Sequence, residues 1–385
     1  RGLGDVYKRQ AMEAFGSMLE DAASGTPRFD APEATRSIWN MFVHDAEAYN
    51  DPGTFTAMTG FEWTSGPGGN NLHRVVIFGD GADKTSRTLP YSTFDSDDPE
   101  DLWKYLESYE ATTGGRAIAV PHNGNLSNGL MFAKTDFSGR PMTRAYAEKR
   151  LRWEPIREMS QVKGDEETHP FLSPEDEFAD YENWDVSNLD GSAKKTEDML
   201  QYEYARSALR IGLELGAEIG ANPYKFGMSA ATDSHTGLAT SREENYFGKY
   251  QHTEPSAERQ GREVIPAADP SLRIMTSQEV ASGLAAVWAR ENTRTAILDA
   301  MKRKEVYATT GTRIRVRVFA GWDFEADEVS RPDFVDQGYR RGVPMGGDLR
   351  PAPGGAAPRF MIRALRDPDG ANLDRVQVIK GWLDS

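Results

Sequence analysis

The chain has 385 residues, net charge −15, 38% hydrophobic and 27% charged residues and no cysteine. That composition supports a packed core and argues against wholesale disorder. It also argues against a general nucleic-acid binder, which needs a basic face, and it excludes disulfides, thiolate metal sites and cysteine nucleophiles. Any metal must be held by histidine and carboxylate, and no apolar run reaches the roughly 18 residues of a membrane span.

The elements are taken in chain order. Residues 1–10 (RGLGDVYKRQ) have no initiator Met and no apolar signal core. They resemble an adaptor scar found at the ends of gene fragments assembled from environmental DNA, and are set aside from fold reasoning. Residues 31–50 place Pro32 at a helix start, with Ile38, Met41, Phe42 and Ala46 at helical spacing. A β-like run over 54–63 leads into a loop by composition, 66–71 (GPGGNN), and a strand over 73–78. Then come a helix over 97–110, a short strand over 116–121, a strand over 157–162 and a long helix over 194–220. Gly220 and Asn222-Pro223 end that helix. A strand over 225–231, a helix over 292–304 and a strand over 306–309 complete the alternation. Strand, loop and helix alternating from about 54 to 310 predict an α/β barrel or layered sheet. Beyond it, residues 313–320, 359–364 and 376–379 read as strands without a long helix between them. The reading is thus residues 1–10 as a scar, 11–320 as the main domain, and 321–385 as a small β-rich C-terminal appendix, cut short at its end.

Six histidines are present: His44, His73, His122, His169, His235 and His252. His44 on a helix and His252 in a polar loop are taken as solvated. Glu62 ends an apolar run, where a carboxylate is costly to bury without a cation. His73 opens a strand, His122 directly follows one, and Asp233 with His235 forms Asp-x-His after another. Residues at the carboxyl ends of barrel strands converge on one mouth. Five such donors there suit Zn, Mn or Fe, and in an extended Asp-x-His both side chains point to one side. Each residue also has a bland reading. A lone histidine at a strand end is usually a hydrogen-bonded structural residue. Asp233 and His235 could cap a helix, and Glu62 could pair with Arg74. What favours chemistry is that five candidates share one kind of position. Asn123, Asn125 and Asn128 are candidates to bind substrate oxygens, or are turn formers. Arg74 and Lys163 could neutralise an anionic substrate, although surface exposure explains Lys163 equally well. His169 could protonate a leaving group, and the acidic run 175–182 reads as a solvated face.

Six segments carry a resemblance: 59–65 (TGFEWTS), 70–74 (NNLHR), 121–129 (PHNGNLSNG), 161–170 (QVKGDEETHP), 232–239 (TDSHTGLA) and 307–313 (YATTGTR). From about residue 30 to the end the chain resembles the bacterial domain of unknown function 3604, placed in the polymerase and histidinol phosphatase (PHP) superfamily. The resemblance implies a distorted (β/α)7 barrel, incomplete at its N-terminus, with two or three divalent metal ions. It makes Glu62 a bridging ligand and His73, His122, Asp233 and His235 further ligands. The superfamily's opening His-x-His and its Asp-His pair have no counterpart here and are expected upstream of residue 11. The expected function is metal-dependent hydrolysis of a small anionic ester, foremost a phosphate ester, by a metal-bridging hydroxide, with Glu62, His122, Asp233 and His169 carrying catalysis. Carboxylic-ester, sulfate-ester or amide hydrolysis at the same centre is one alternative, and a binding module with a degenerate metal site is another. Compartment and oligomeric state stay open.

Overall fold

The computed structural model describes residues 31–250, 254–280 and 283–384, with isolated positions between 10 and 26. Residues 1–9 and His252 lie outside the described residues. The first helix, α1 (Pro32–Ala48), begins with Pro32 in its first turn, where a missing N–H costs nothing. It buries Trp39 and Val43 and leaves His44 exposed.

Three strands follow: β1 (Gly60–Trp63), β2 (Arg74–Phe78) and β3 (Ala117–Pro121), forming one antiparallel sheet in the order β1-β2-β3. The glycine-rich loop makes the β1–β2 reversal possible. Gly69 has φ +79, and a Cβ there would meet the Asp190 carboxylate at 2.2 Å, so only glycine fits. Between β2 and β3 lie the short α2 (Ala82–Thr85) and α3 (Pro99–Thr113). Asp98 caps α3 by accepting a bond from Glu100 N at 2.8 Å, and Gly114 ends it in the left-handed conformation.

Helix α4 (Arg144–Trp153) precedes β4 (Ile156–Glu158), which pairs in parallel with β7 (Gly227–Ser229). The expected strand over 157–162 is split, because Met159 turns its N–H to Ser229 O and accepts from Glu166 N. A two-residue hairpin, β5 (Ser160–Gln161) and β6 (Gly164–Asp165), follows. The expected helix over 194–220 also divides, into α5 (Glu197–Leu200) and α6 (Ala205–Ile219). At the break, Tyr202 O is taken by Phe132 N, while Ala205 N donates to Glu166 O. These tertiary bonds claim backbone groups that a continuous helix would use. Gly220, at φ +74, ends α6 as expected.

Strands β8 (Glu263–Ile265) and β9 (Ile274–Met275) pair with each other, as do β10 (Leu284–Val287) and β11 (Val306–Thr309) on either side of α7 (Arg294–Lys302). β4 lies beside β3, and β11 beside β7, so these small sheets adjoin one another. No sheet closes on itself among the described residues. The last sheet has the order β13-β12-β14, from β12 (Arg315–Gly321), β13 (Gly342–Pro344) and β14 (Arg359–Leu365), with α8 (Phe334–Arg341) packed on it around Phe319, Phe324, Phe334 and Met361. It begins at Arg315, ahead of the expected boundary at 321. Residues 376–379 form no strand, because the sheet ends at β14 and Val376, Val378 and Ile379 stand exposed without a neighbour to pair with. Among the described residues no helix is long and apolar enough to cross a membrane.

The strand period of two divides β1–β3 between two apolar clusters. Trp63, Val76, Phe78, Ala117 and Ala119 face the larger, with Trp39, Trp103 and Trp153 from the helices. Ile118 and Val120 face the smaller, with Ile156, Leu298 and Val306, and with Val75 and Ile77 packed against it. Arg74 falls on the larger cluster's side and is 1% exposed. Its Nε donates to Glu154 Oε1 at 3.0 Å, Arg150 Nε donates to Glu154 Oε2 at 3.0 Å, and Trp103 Nε1 donates to Glu154 Oε1 at 3.0 Å. Glu154→Ala should therefore cost about 3–5 kcal/mol of stability, because it strands two buried guanidinium groups. Urea unfolding of the variant measures this, and a loss below about 1 kcal/mol would show that the network contributes little.

Candidate metal centre

Alternation that turns Arg74 one way turns its neighbour His73 the other. His73, Val75 and Ile77 share a face of β2, Ile118, Val120 and His122 share a face of β3, and Glu62 lies opposite Val75 on β1. The antiparallel register brings the end of β1, the start of β2 and the end of β3 to one edge, with Trp63 opposite Arg74 and Arg74 opposite Pro121. Glu62, His73 and His122 thus meet on the face of the smaller cluster. His73 Nδ1 and His122 Nε2 each stand 2.9 Å from Glu62 Oε1, and the two rings meet edge-on with centroids 5.7 Å apart.

Asp233 and His235 arrive from the loop after β7. Asp233 is left-handed at φ +52 rather than extended, yet the pair still converges, His235 Nε2 lying 3.0 Å from Asp233 Oδ1. Two groups of donors result, Glu62 with His73 and His122, and Glu62 with Asp233 and His235. Within each, one ligand atom per residue lies within 4.8 Å of the others. Glu62 is common to both. The donors are carboxylate oxygen and imidazole nitrogen, a set that fits Zn, Mn or Fe.

Electrostatics follow from burial and partners. Burial works to raise the Glu62 carboxyl, but hydrogen bonds from His122 and His73 outweigh it and hold the group well below the usual carboxylate range. Burial also dominates His73, which is lowered, whereas Glu62 overcomes burial at His122 and raises it. At Asp233 the Lys163 and Lys249 charges overcome burial and lower the carboxyl strongly. Lys249 Nζ donates to Asp233 Oδ2 at 2.6 Å and to its carbonyl at 2.8 Å, and Lys163 Nζ donates to the same Oδ2.

The loop after His122 is held from beneath. Asn123 sits at φ +51, and its N–H and that of Gly124 donate to the buried Glu166 carboxylate, which also takes Arg157 Nη2. A Cβ at Gly124 would meet Arg157 Nη2 at 2.5 Å. Asn71 Nδ2 donates to His122 O at 2.6 Å and to Asn123 O at 2.9 Å. Asn123 is buried. Asn125 Nδ2 donates to Lys163 O at 3.0 Å, tying the His122 loop to that lysine, and Asn128 Oδ1 accepts from Lys195 Nζ at 3.1 Å. Arg74 lies on the opposite sheet face, as described, and so stands away from the donors. His169 also joins other partners, Asp185 Oδ2 at 3.0 Å, Phe171 N at 3.1 Å and the Tyr204 ring. The acidic run is mostly exposed, as a solvated face would be.

Three residues here have no place in the reading of the sequence. Lys249 has no motif of its own and lies in a polar stretch. Tyr250 packs its ring edge-on against His235, with centroids 5.3 Å apart. Glu158 ends β4 on the side of Ile156, 5% exposed, with Gln161 Nε2 donating to it at 2.9 Å. Alternation from Ile156 would have revealed its face, had the short strand's limits been legible. Burial pushes the Glu158 carboxyl up to about 7.

That shift predicts a pH effect in the metal-free protein. Folded Glu158 keeps its proton to about 7, whereas the unfolded carboxyl loses it near the ordinary 4.5. Stability should fall as pH rises through that window, by about 3 kcal/mol in all. Glu158→Gln removes the loss, so the variant should exceed the parent in stability at pH 8 and match it near pH 4. Denaturant titration at both pH values measures the difference, and an equal gain at both would contradict the assignment.

A family model described as "Protein of unknown function (DUF3604)" matches residues 4–385, and the chain belongs to that family. No curated protein and no solved structure matches it.

Proposed function

We propose that this member of the DUF3604 family is a metal-dependent hydrolase of the PHP type, built on a PHP-like barrel and acting on small phosphate esters. The observation that carries the reading is the Glu62 carboxylate shared by two donor groups at one strand edge. A structural histidine needs only one partner. Here two imidazoles, one buried and one half-buried, converge on one carboxylate oxygen, and a second acidic residue with its own histidine stands beside them.

Glu62, His73 and His122 would hold one divalent ion, and Glu62, Asp233 and His235 a second. Bound there, such ions supply Lewis acidity and activate water at neutral pH. The chain's own residues do the rest. Glu166 and Asn71 fix the turn that orients His122. Tyr250, edge-on against His235, steadies that ring. Glu158, buried on the same face with its carboxyl raised by burial, would take and return a proton. This gives Glu158 the proton-transfer role that the sequence alone suggested for His169.

The test joins metal content to turnover. The full chain, incubated with Mn²⁺ or Zn²⁺ and dialysed, should retain divalent ions by elemental analysis and cleave chromogenic phosphate esters faster than sulfate or carboxylic esters. Glu62→Ala should lose ions from both groups, whereas His73→Ala and His235→Ala each lose one. Glu158→Gln should keep its ions and lose about 100-fold in kcat. Preference for sulfate or carboxylic esters would redirect the substrate class, and full ion content without turnover on any ester would favour a binding module.

A further inference from the structure

Asp233 is overcommitted. One carboxylate oxygen receives both the Lys163 and the Lys249 ammonium groups, while the other faces His235. Both lysines are nearly out of water, with side chains 8% and 2% exposed. Burying an ammonium group costs several kcal/mol unless its partners are excellent, and a single carboxylate can balance only one of two. Beyond Asp233, the Glu279 carboxylate lies within electrostatic reach of both ammonium groups and answers part of the surplus. The lysines come from separate segments that are each fixed in place. Lys163 lies in the turn between β5 and β6, its carbonyl held by Asn125. The carbonyl of Lys249 accepts from His235 N at 2.8 Å, binding its segment to the Asp-x-His loop.

A divalent ion held by Glu62, Asp233 and His235 would take over the carboxylate that the lysines now share. Two ammonium groups would then be left beside that ion with excess positive charge and donors to spare. We infer that Lys163 and Lys249 hold the anionic part of the substrate, a tetrahedral oxyanion, and rest on Asp233 until a divalent cation claims that carboxylate. The inference rests on the metal reading above and narrows its substrate. An uncharged carboxylic ester has no use for two buried cations, whereas a phosphate group, with several oxygens and up to two charges, can accept from both.

Cation and lysines therefore compete for Asp233, and cation and oxyanion cooperate. Lys163→Met and Lys249→Met should each weaken inorganic phosphate binding about tenfold or more. Each should also tighten Mn²⁺ binding, because a rival for Asp233 is gone. Titration calorimetry of the full chain reads both quantities without turnover. A purely structural lysine would weaken both together, so opposite signs support the inference and a joint loss overturns it. Each variant reads the same pair of constants, so either one that folds decides the matter. Mn²⁺ binding by the parent with unchanged phosphate affinity in the variants overturns this inference alone. A parent that takes up no divalent ion overturns the metal reading as well.

Discussion

A carboxylate largely withdrawn from water must be answered, and Glu62 is the group around which this site is arranged. Burial alone would push it toward the neutral acid, where it could accept little. His73 and His122 on one oxygen reverse that and keep it ionised. Both imidazoles are available only because β1, β2 and β3 are antiparallel, with the end of one strand lying beside the start of the next. A shift of one residue in the β1–β2 register would turn Glu62 or His73 into the tryptophan-lined cluster. The apolar alternation that fills the two clusters thus also fixes the donor positions. The packing of Val76 and Phe78 on one side is what keeps His73 on the other.

Beneath the donors, the sheet carries charge on both faces, handled differently. On the tryptophan side, Arg74 and Arg150 share Glu154, and Trp103 donates to the same carboxylate. Below the His122 turn, Arg157 and two backbone N–H groups share Glu166. In both places donors saturate the carboxylate, which makes these clusters frames. Around Glu62 and Asp233 the donors are imidazoles and flexible ammonium groups. These are groups that can exchange a carboxylate for an ion with little rearrangement of the backbone, and that contrast in partner type separates support from chemistry here.

The sequence made much of this legible where one residue's chemistry and its place at a strand end agreed. Glu62, His122, Asp233 and His235 were visible as titratable side chains following apolar runs, and His73 as one opening a strand, positions with few inexpensive explanations. Legibility failed where the argument needed a face instead of a position. Arg74 is adjacent to His73 in the chain, and only the strand period reveals that the two point apart. Glu158 was hidden by a strand of three residues, too short to show its period. Lys249 was hidden because its role comes from the bond between its own carbonyl and His235 N, a long-range pairing that local sequence does not encode. Helix limits failed for a related reason. Residues 194–220 have helical composition, but Phe132 and Glu166 claim the backbone at 202 and 205. Residues 376–379 have β-forming side chains but no neighbouring strand, and a strand without a partner leaves its backbone to water.

Of the five non-glycine residues with positive φ among the described residues, two lie beside the donor groups. Asn123 and Asp233 both adopt left-handed conformations, which cost a non-glycine residue about a kcal/mol or more. Each lies at the point where a strand's direction gives way to the site. At Asn123 the turn sends two consecutive N–H groups down to Glu166 and leaves His122 facing Glu62. At Asp233 it brings the carboxylate back toward His235, an approach that extended alternation would have achieved by a different route. Asparagine and aspartate are the side chains that tolerate this region best, so the residue types that serve the chemistry are also those that permit the bend. At both positions a buried charge holds the bend in place. The fold thus gathers the donors by itself, with no further movement of the backbone needed to bring them together.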